Sequence, residues 1–429
     1  MSRLRLCLFA VGVCVLLGAG GRLGEPALPT TFARAVQPGQ VAAPTQSGPA
    51  PQTSAPAVPE NAALRFERQE IRSKFCVGYA VTTADMNGDG RPDVVAISGT
   101  QLVWYENPTW REHVLLEGQT PKDNVALAPL DIDGDGRTDV AVGAAWNPRD
   151  TTGGGTLHWV RQPTTGDAGS LHDISSEPTL HRIRWADVDG RGRPELIVAP
   201  LHGRGTSPPE WNGQGARLMA FTIPSRPAAE PWPLQVVDDT LHILHNVTPV
   251  RLTRTDRDEL LTASREGLHL FTRGDDGAWT KRKLGEGAPG EIKVGKVAGR
   301  WLLATVEPWH GTSVVVYREP AGGAAASQLW PRVPLDGSLQ GGHALAWGDM
   351  DGDRDDDLVA GWRDGTGGVV VYGMGPAGEL RTRTPVDLQG MATEDIAVHD
   401  LDGDGRPEII ASGRRTSNVV IYWNRTAAR

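Results

Sequence analysis

Five acid-rich nonapeptides are the most chemically pointed feature of this 429-residue chain: Asp85-Met-Asn-Gly-Asp-Gly-Arg-Pro-Asp93, Asp131-Ile-Asp-Gly-Asp-Gly-Arg-Thr-Asp139, Asp187-Val-Asp-Gly-Arg-Gly-Arg-Pro-Glu195, Asp349-Met-Asp-Gly-Asp-Arg-Asp-Asp-Asp357 and Asp400-Leu-Asp-Gly-Asp-Gly-Arg-Pro-Glu408. Oxygen-bearing side chains fall at the first, third, fifth and ninth places, and glycines permit a tight reversal. One loop can therefore wrap a hard cation, with the seventh residue adding its carbonyl. The ligand sets read this way are Asp85, Asn87, Asp89 and Asp93; Asp131, Asp133, Asp135 and Asp139; Asp349, Asp351, Asp353 and Asp357; and Asp400, Asp402, Asp404 and Glu408. Structural Ca2+ is the expected occupant. Arg191 takes the fifth place of the Asp187 loop, which predicts a weak or internally salt-bridged site, and the Asp349 loop lacks its second glycine. An EF-hand is excluded, because its twelfth place needs a bidentate Glu and here that place is Ala96 or Val142 within an apolar run.

Each loop must be held by something, and the flanking residues say what. A short apolar strand precedes it and a second follows, ending in small residues. Two degenerate copies keep the strands without the acids: His245–Arg251 with Glu259–Ser264, and Gly290–Lys296 with Trp301–Thr305, where the loop shrinks to Val-Ala-Gly. Seven frames result, about 52 residues apart, a length that suits a four-stranded blade. Third and fourth strands fall between frames, as in Gln101–Tyr105 and His113–Leu116. The last unit has its third strand at Asn418–Trp423 and then ends, so Arg65–Ile71 is expected to supply the fourth and close the ring. The fold predicted is all-β, a seven-bladed propeller of four-stranded blades with Ca-binding loops between first and second strands.

If the acidic turn joins the innermost strand to the next, the residues before the first strand and after the second crowd round the opposite mouth. Six places ahead of each frame stand Tyr79, Val125, His181, His245, Gly290, His343 and Glu394. After the second strands come Trp146-Asn147, His202, Arg265-Glu266, Glu307-Pro-Trp309-His310, Trp362-Arg363 and Arg414-Arg415. Six of the eleven histidines, His242 among them, fall in these two phases, which argues for a pocket. Tyr79, Asn147, His202, Arg265, Trp309, Trp362, Arg363, Glu394 and Arg414 are its expected binding residues. Trp faces and directional hydrogen-bonders suit a sugar ring, and imidazoles titrating near neutrality can move protons. Together with a carboxylate the imidazoles could instead hold a divalent ion, Zn2+ or Mg2+. No Ser-His-Asp order, phosphate loop or nicotinamide fingerprint is present.

The Asp-x-Asp/Asn-Gly-Asp-Gly repeats resemble FG-GAP or VCBS repeats, the calcium-carrying blades of integrin α-subunit propellers and of many exported bacterial proteins, across residues 64–424. A narrower resemblance lies in Glu259-Leu-Leu-Thr-Ala-Ser-Arg-Glu-Gly267, Glu307-Pro-Trp-His-Gly311, His343-Ala-Leu-Ala-Trp347 and Ala360-Gly-Trp-Arg363, which are similar to the propeller domain of the aldos-2-ulose (anhydrofructose) dehydratases. That resemblance implies a lyase acting on a keto-sugar or oxidised glycoside at the mouth. Of the imidazoles in the register with His181, His245 or His343 would be the base. Arg265 and Arg363, or a bound metal, would stabilise the enolate oxygen, and Glu307 and His310 would serve the leaving hydroxyl. Those dehydratases continue into cupin-like domains that this sequence does not contain, so an isomerase step housed there is not expected.

The formal charge of −9, with no basic stripe, excludes a nucleic-acid binder. Residues 1–21 read as a secretory signal, with Arg3 and Arg5 ahead of an apolar run too short to span a bilayer. Residues 22–63, with eight prolines between Pro26 and Pro59, read as a disordered linker, and 64–429 as the propeller. An exported protein, periplasmic or extracellular, without a membrane span in its mature chain is expected. Its three cysteines build no disulfide scaffold. The competing reading is a non-catalytic propeller that binds a glycan or a protein partner.

Overall fold

The computed structural model describes residues 54–163 and 169–427, all in strands, turns and irregular segments. The signal expected over 1–21 and most of the 22–63 linker lie outside the described residues. Among those described, no helix is long and apolar enough to cross a membrane.

Seven antiparallel sheets of four strands each follow one another along the chain. The first strands, from the channel outward, are Gly78–Ala84, Ala126–Leu130, Leu180–Ala186, Asn246–Val250, Glu291–Val297, Gly342–Gly348 and Thr393–His399, defining blades 1 to 7. Each first strand touches the first strand of the next blade, and that of blade 7 touches that of blade 1, so the sheets form a ring. Second strands such as Asp93–Ser98 and Glu408–Gly413 are buried along their whole length, which is why they read as unbroken apolar runs. Outer strands such as Arg111–Glu117 and Leu234–Leu241 are mostly exposed or half-buried and bury only Leu115 and Leu116 in the one and Val237 and Leu241 in the other. In blade 7 the outermost strand is Phe66–Arg72, antiparallel to Val419–Asn424 with Phe66 opposite Asn424. Blade 5, which has no acidic loop, turns instead through Ala298 and Gly299, both at positive φ, the two-residue reversal that matches strand twist.

Buried clasps tie the later blades to one another. Tyr372 in blade 6 donates its hydroxyl to Asp336 at the end of blade 5 (2.7 Å), and Arg383 reaches the same carboxylate at 2.9 Å. Tyr422 repeats this from blade 7 onto Asp387 of blade 6 at 2.7 Å, where Arg68 of the N-terminal strand approaches to 3.5 Å. The chain reaches that strand across blade 6: Asn61 donates its backbone N–H to Thr384 Oγ1 and its side-chain amide to Asp351, both at 2.9 Å.

Candidate functional site

Loops and first-strand bulges position two sets of groups at opposite ends of the ring. In the acidic loops the first Asp folds the chain onto itself. Asp131 accepts the N–H groups of Gly134 (2.8 Å) and Gly136 (3.0 Å), and Asp400 those of Gly403 (2.8 Å) and Gly405 (2.9 Å). Asp85 and Asp349 do the same in their loops. The ninth residue does more than the spacing implied. Asp93 and Asp139 each accept two backbone N–H groups, one from the loop and one from the neighbouring strand end, as Glu408 does, so this acid pins loop to blade. One carboxylate oxygen from each of Asp131, Asp133 and Asp139 lies within 4.8 Å of the others, and the same holds for Asp349, Asp351 and Asp353 and for Asp400, Asp402 and Asp404. Burial, then the neighbouring acids, pushes Asp357 up to about 8; burial foremost also lifts Asp139 to about 6 and Glu408 to about 7. Oxygen donors that repel one another in this way could hold a hard cation. In the Asp187 loop the acids also converge, but Arg191 and Arg273 approach Asp189 at 3.4 and 3.8 Å, the internal pairing its sequence implied.

At the other mouth, four of the expected residues share a backbone device that sequence spacing cannot reveal. Tyr79, His181, His343 and Glu394 each fall where the ladder between first and second strand skips a residue. An extra residue in one strand re-aims its side chain without disturbing the ladder beyond it. These four line one cavity of about 250 Å³ with His202, His245, Trp309, His310, Arg363 and Arg414. Ring centroids of His245 lie 4.7 Å from His181, 4.6 Å from His310 and 5.7 Å from His343, and those of His310 and His343 are 4.7 Å apart. The sevenfold register thus brings together imidazoles more than a hundred residues apart.

Hydrogen bonds assign the protons. Nδ1 of His245 donates to the Gly290 carbonyl (2.6 Å), leaving Nε2 to accept from His310 Nε2 at 2.7 Å. His310 can donate there because its Nδ1 accepts from Arg363 at 2.9 Å. His343 Nδ1 donates to the Glu394 carbonyl, which leaves its Nε2 a lone pair, 3.8 Å from the Glu394 carboxylate. His181 stacks on Trp146 at 4.5 Å, and its buried Nε2 has no hydrogen-bond partner among the described residues. Burial, reinforced by Arg182 or Arg363, drives His181, His245, His310 and His343 well below the ordinary imidazole value, and burial takes His202 to about 4. All five are neutral bases at pH 7. Tyr79 is pushed up to about 12, chiefly by burial, and stays protonated.

Four expected residues lie elsewhere. Glu307 is buried among Tyr317, Thr305 and Arg332, which reach its carboxylate at 2.7, 2.9 and 2.6 Å, so it serves as a blade fastener rather than an acid for the leaving group. Trp362 is buried in the core against Gly368, where a Cβ would collide with its ring. Arg265 is taken by Asn212 Oδ1 (3.0 Å) and the Glu210 carbonyl, and so stands off the cavity as an enolate stabiliser. Asn147 caps its own turn through the Arg149 N–H, while Trp146 beside it and Arg149 beyond it reach the cavity. Gly290 contributes a carbonyl and has no room for a side chain, since Trp309 backbone fills the place. Sequence reasoning missed Trp211, which stacks on His202 at 3.7 Å from an insertion between the second and third strands of blade 3. Counting from the loops cannot reach an insertion; the clustered Pro208-Pro209 ahead of it was the one available sign.

Comparison with known proteins follows the same division. FG-GAP-like repeats match residues 85–142 and 349–411, the blades with full acidic loops. The β-propeller domain of aldos-2-ulose dehydratase matches residues 154–320, which carry His181, His202, His245, Trp309 and His310. The aldos-2-ulose dehydratase of Phanerodontia chrysosporium is 26% identical over 330 residues, covering 69% of this chain; the chain spans 35% of that enzyme's length. Among solved structures, BBS1N in complex with ARL6DN superposes with a TM-score of 0.54 at 14% identity, over 86% of this chain and 99% of that one. Virginiamycin B lyase from Staphylococcus aureus gives 0.52 at 12% identity, over 84% and 99%. At these identities the two structures speak for the fold alone.

Proposed function

We propose that this chain, which carries FG-GAP-like repeats and a propeller similar to that of aldos-2-ulose dehydratase, is an exported lyase that eliminates a hydroxyl or alkoxy group from a keto-sugar or oxidised glycoside at its histidine mouth. One observation carries this reading above the others: four neutral imidazoles pack against one another on a single cavity, and the proton positions of three of them, His245, His310 and His343, are fixed by backbone carbonyls and Arg363. A bland polar rim has no reason to desolvate four bases together. The distant dehydratase relative supports the same chemistry.

In this reading His343 Nε2 takes the proton beside the carbonyl, since its other nitrogen is anchored on the Glu394 carbonyl. The electron pair moves to the carbon–carbon bond, and the carbon–oxygen bond beyond it breaks. The imidazolium so formed on His343 protonates the departing oxygen, which leaves both imidazoles neutral, and His310, 4.7 Å away with its proton on Nε2, hydrogen-bonds that oxygen as it leaves. Arg363 faces the developing enolate charge. Trp146, Trp309 and Trp211 supply stacking faces for the ring. Nitrogens of His245, His310 and His343 lie within 4.8 Å of one another, and the Nδ1–H groups of His245 and His343 are held by backbone carbonyls, as those of metal-bound imidazoles usually are. Three imidazoles fit Zn2+ better than Mg2+. Such an ion would occupy the Nε2 lone pair that His343 otherwise uses as base, so it is the alternative to the proton transfers above and would act instead as a Lewis acid on the carbonyl.

The acidic loops we assign to Ca2+ as staples of the ring, and the Phe66–Arg72 strand to its closure, which leaves no raw sheet edge. The test is incubation with a panel of keto-sugars while following the ultraviolet absorbance of an enone. Wild type should produce it and His245→Ala plus His343→Ala should not. No signal with any sugar, together with glycan binding unchanged in the double variant, would overturn the reading in favour of a non-catalytic binding propeller.

A further inference from the structure

The fixed charges round the histidine mouth do not balance. Arg149, Arg363 and Arg414 line the cavity, and Glu394 is the one carboxylate residue that lines it. Glu394 is shared, accepting from Arg363 at 2.9 Å and from Arg414 at 2.7 Å. Among the described residues Arg149 has no carboxylate within 4.0 Å. The three guanidinium groups that line the cavity against one carboxylate leave +2, in a chain whose overall charge is −9. Counting Asp123, which accepts the Tyr79 hydroxyl at 3.3 Å, still leaves +1. Protonating any imidazole, or seating a dication, adds to this excess. A net positive charge round a cavity lined by desolvated neutral imidazoles attracts an anion, so the missing partner is one that the ligand brings.

We infer that the substrate is a uronate, a sugar whose carboxylate sits among Arg149, Arg363 and Arg414. This rests on the lyase reading and names its substrate class. The hydrogen removed is then the one on the ring carbon bearing the carboxylate. That carbon–hydrogen bond breaks toward the imidazole, and its electron pair forms a double bond to the adjacent ring carbon. The oxygen on that adjacent carbon departs with a proton. No oxidant or reductant is needed, and the product is an unsaturated uronate. As the proton leaves, negative charge accumulates on the carboxylate, where the arginines stabilise it more than in the ground state.

The experiment compares kcat/KM for a uronate glycoside, its methyl ester and a neutral keto-sugar by product absorbance, in wild type, Arg149→Gln and Arg414→Gln. The ester has the more acidic carbon–hydrogen bond in water, so any preference for the free acid comes from the protein. We expect the acid to be favoured by about tenfold or more over its ester. Arg149→Gln, on an exposed turn where folding is not at stake, should erase most of that preference in kcat/KM. Ester or keto-sugar turned over as well as the acid would overturn the uronate assignment and leave the lyase standing. Turnover of none of them would remove the lyase. Calorimetric binding of acid and ester to wild type would then decide the carboxylate site: equal affinity overturns it, and tighter acid binding that Arg149→Gln abolishes upholds it.

Discussion

Replacing Asp336 by Asn should damage the ring more than any other isosteric change to a blade fastener. The Asp336 side chain is fully buried, Arg383 is 14% exposed, and the carboxylate receives the Tyr372 hydroxyl, the Arg383 guanidinium and the Ser338 N–H. The amide keeps the shape and removes the charge, which strands Arg383 in a poorly solvated site. Breaking one partner of a buried ion pair costs about 3–5 kcal/mol. Tyr372→Phe leaves the ion pair intact and forfeits one hydrogen bond to a charged group, about 1.5–3 kcal/mol. Because both changes act on one carboxylate, the double variant should cost less than the sum by about 1 kcal/mol or more. The parallel change Asp387→Asn should cost less than Asp336→Asn, since Arg68 stands 3.5 Å away and is 39% exposed. Guanidinium unfolding midpoints with a common m-value give all four numbers. A loss below about 1 kcal/mol for Asp336→Asn, or a larger loss for Asp387→Asn, would refute the argument that the clasp acts through desolvated charge. The pH dependence has a definite sign. Burial pushes the Asp336 carboxyl up, but its bonds to Arg383, Ser338 and Tyr372 outweigh this and hold it below its ordinary value. The clasp is therefore complete above the usual carboxylate range and is lost as pH falls through the depressed folded value.

Chelation should lower the melting temperature, and Ca2+ should restore it; a melt unchanged by chelator in differential scanning calorimetry would remove the ions from the fold. Arg354 occupies the place of the missing glycine with φ +74°, so Arg354→Gly should stabilise by about 1–2 kcal/mol in denaturant titrations. His343 stays neutral in the folded protein and protonates near its ordinary value when unfolded, so stability is full above that value and falls on acidification. The loss is about 1.4 kcal/mol per pH unit, and His343→Gln should flatten the slope of unfolding free energy between about pH 6.5 and 5.

Much of this molecule is legible because its repeats punish error. The acidic frame marks where each first strand ends, and strand period two then carries the count back to His181, His343 and Glu394. The degenerate blades follow from the same count, since Asn246–Val250 and Glu291–Val297 keep their register without acids at the first, third and fifth places of the turn. What escapes is set by events between strands. Glu307 and His310 are three residues apart and read as one group in the sequence. The chain reverses between them, sending the carboxylate to Tyr317 and Arg332 and the imidazole to the cavity. Trp362 follows the same phase as Arg363, yet adjacent strand residues face opposite ways, and only the arginine reaches Glu394. Trp211 comes from an insertion, outside any frame.

The skipped ladder positions that carry Tyr79, His181, His343 and Glu394 separate two jobs that most enzymes entangle. Hydrogen bonding resumes in step immediately after each of them, so what stands there is a plug-in head on an unaltered shaft. Evolution, or an engineer, can exchange these heads one at a time and retune what the mouth accepts while the toroid keeps its strength.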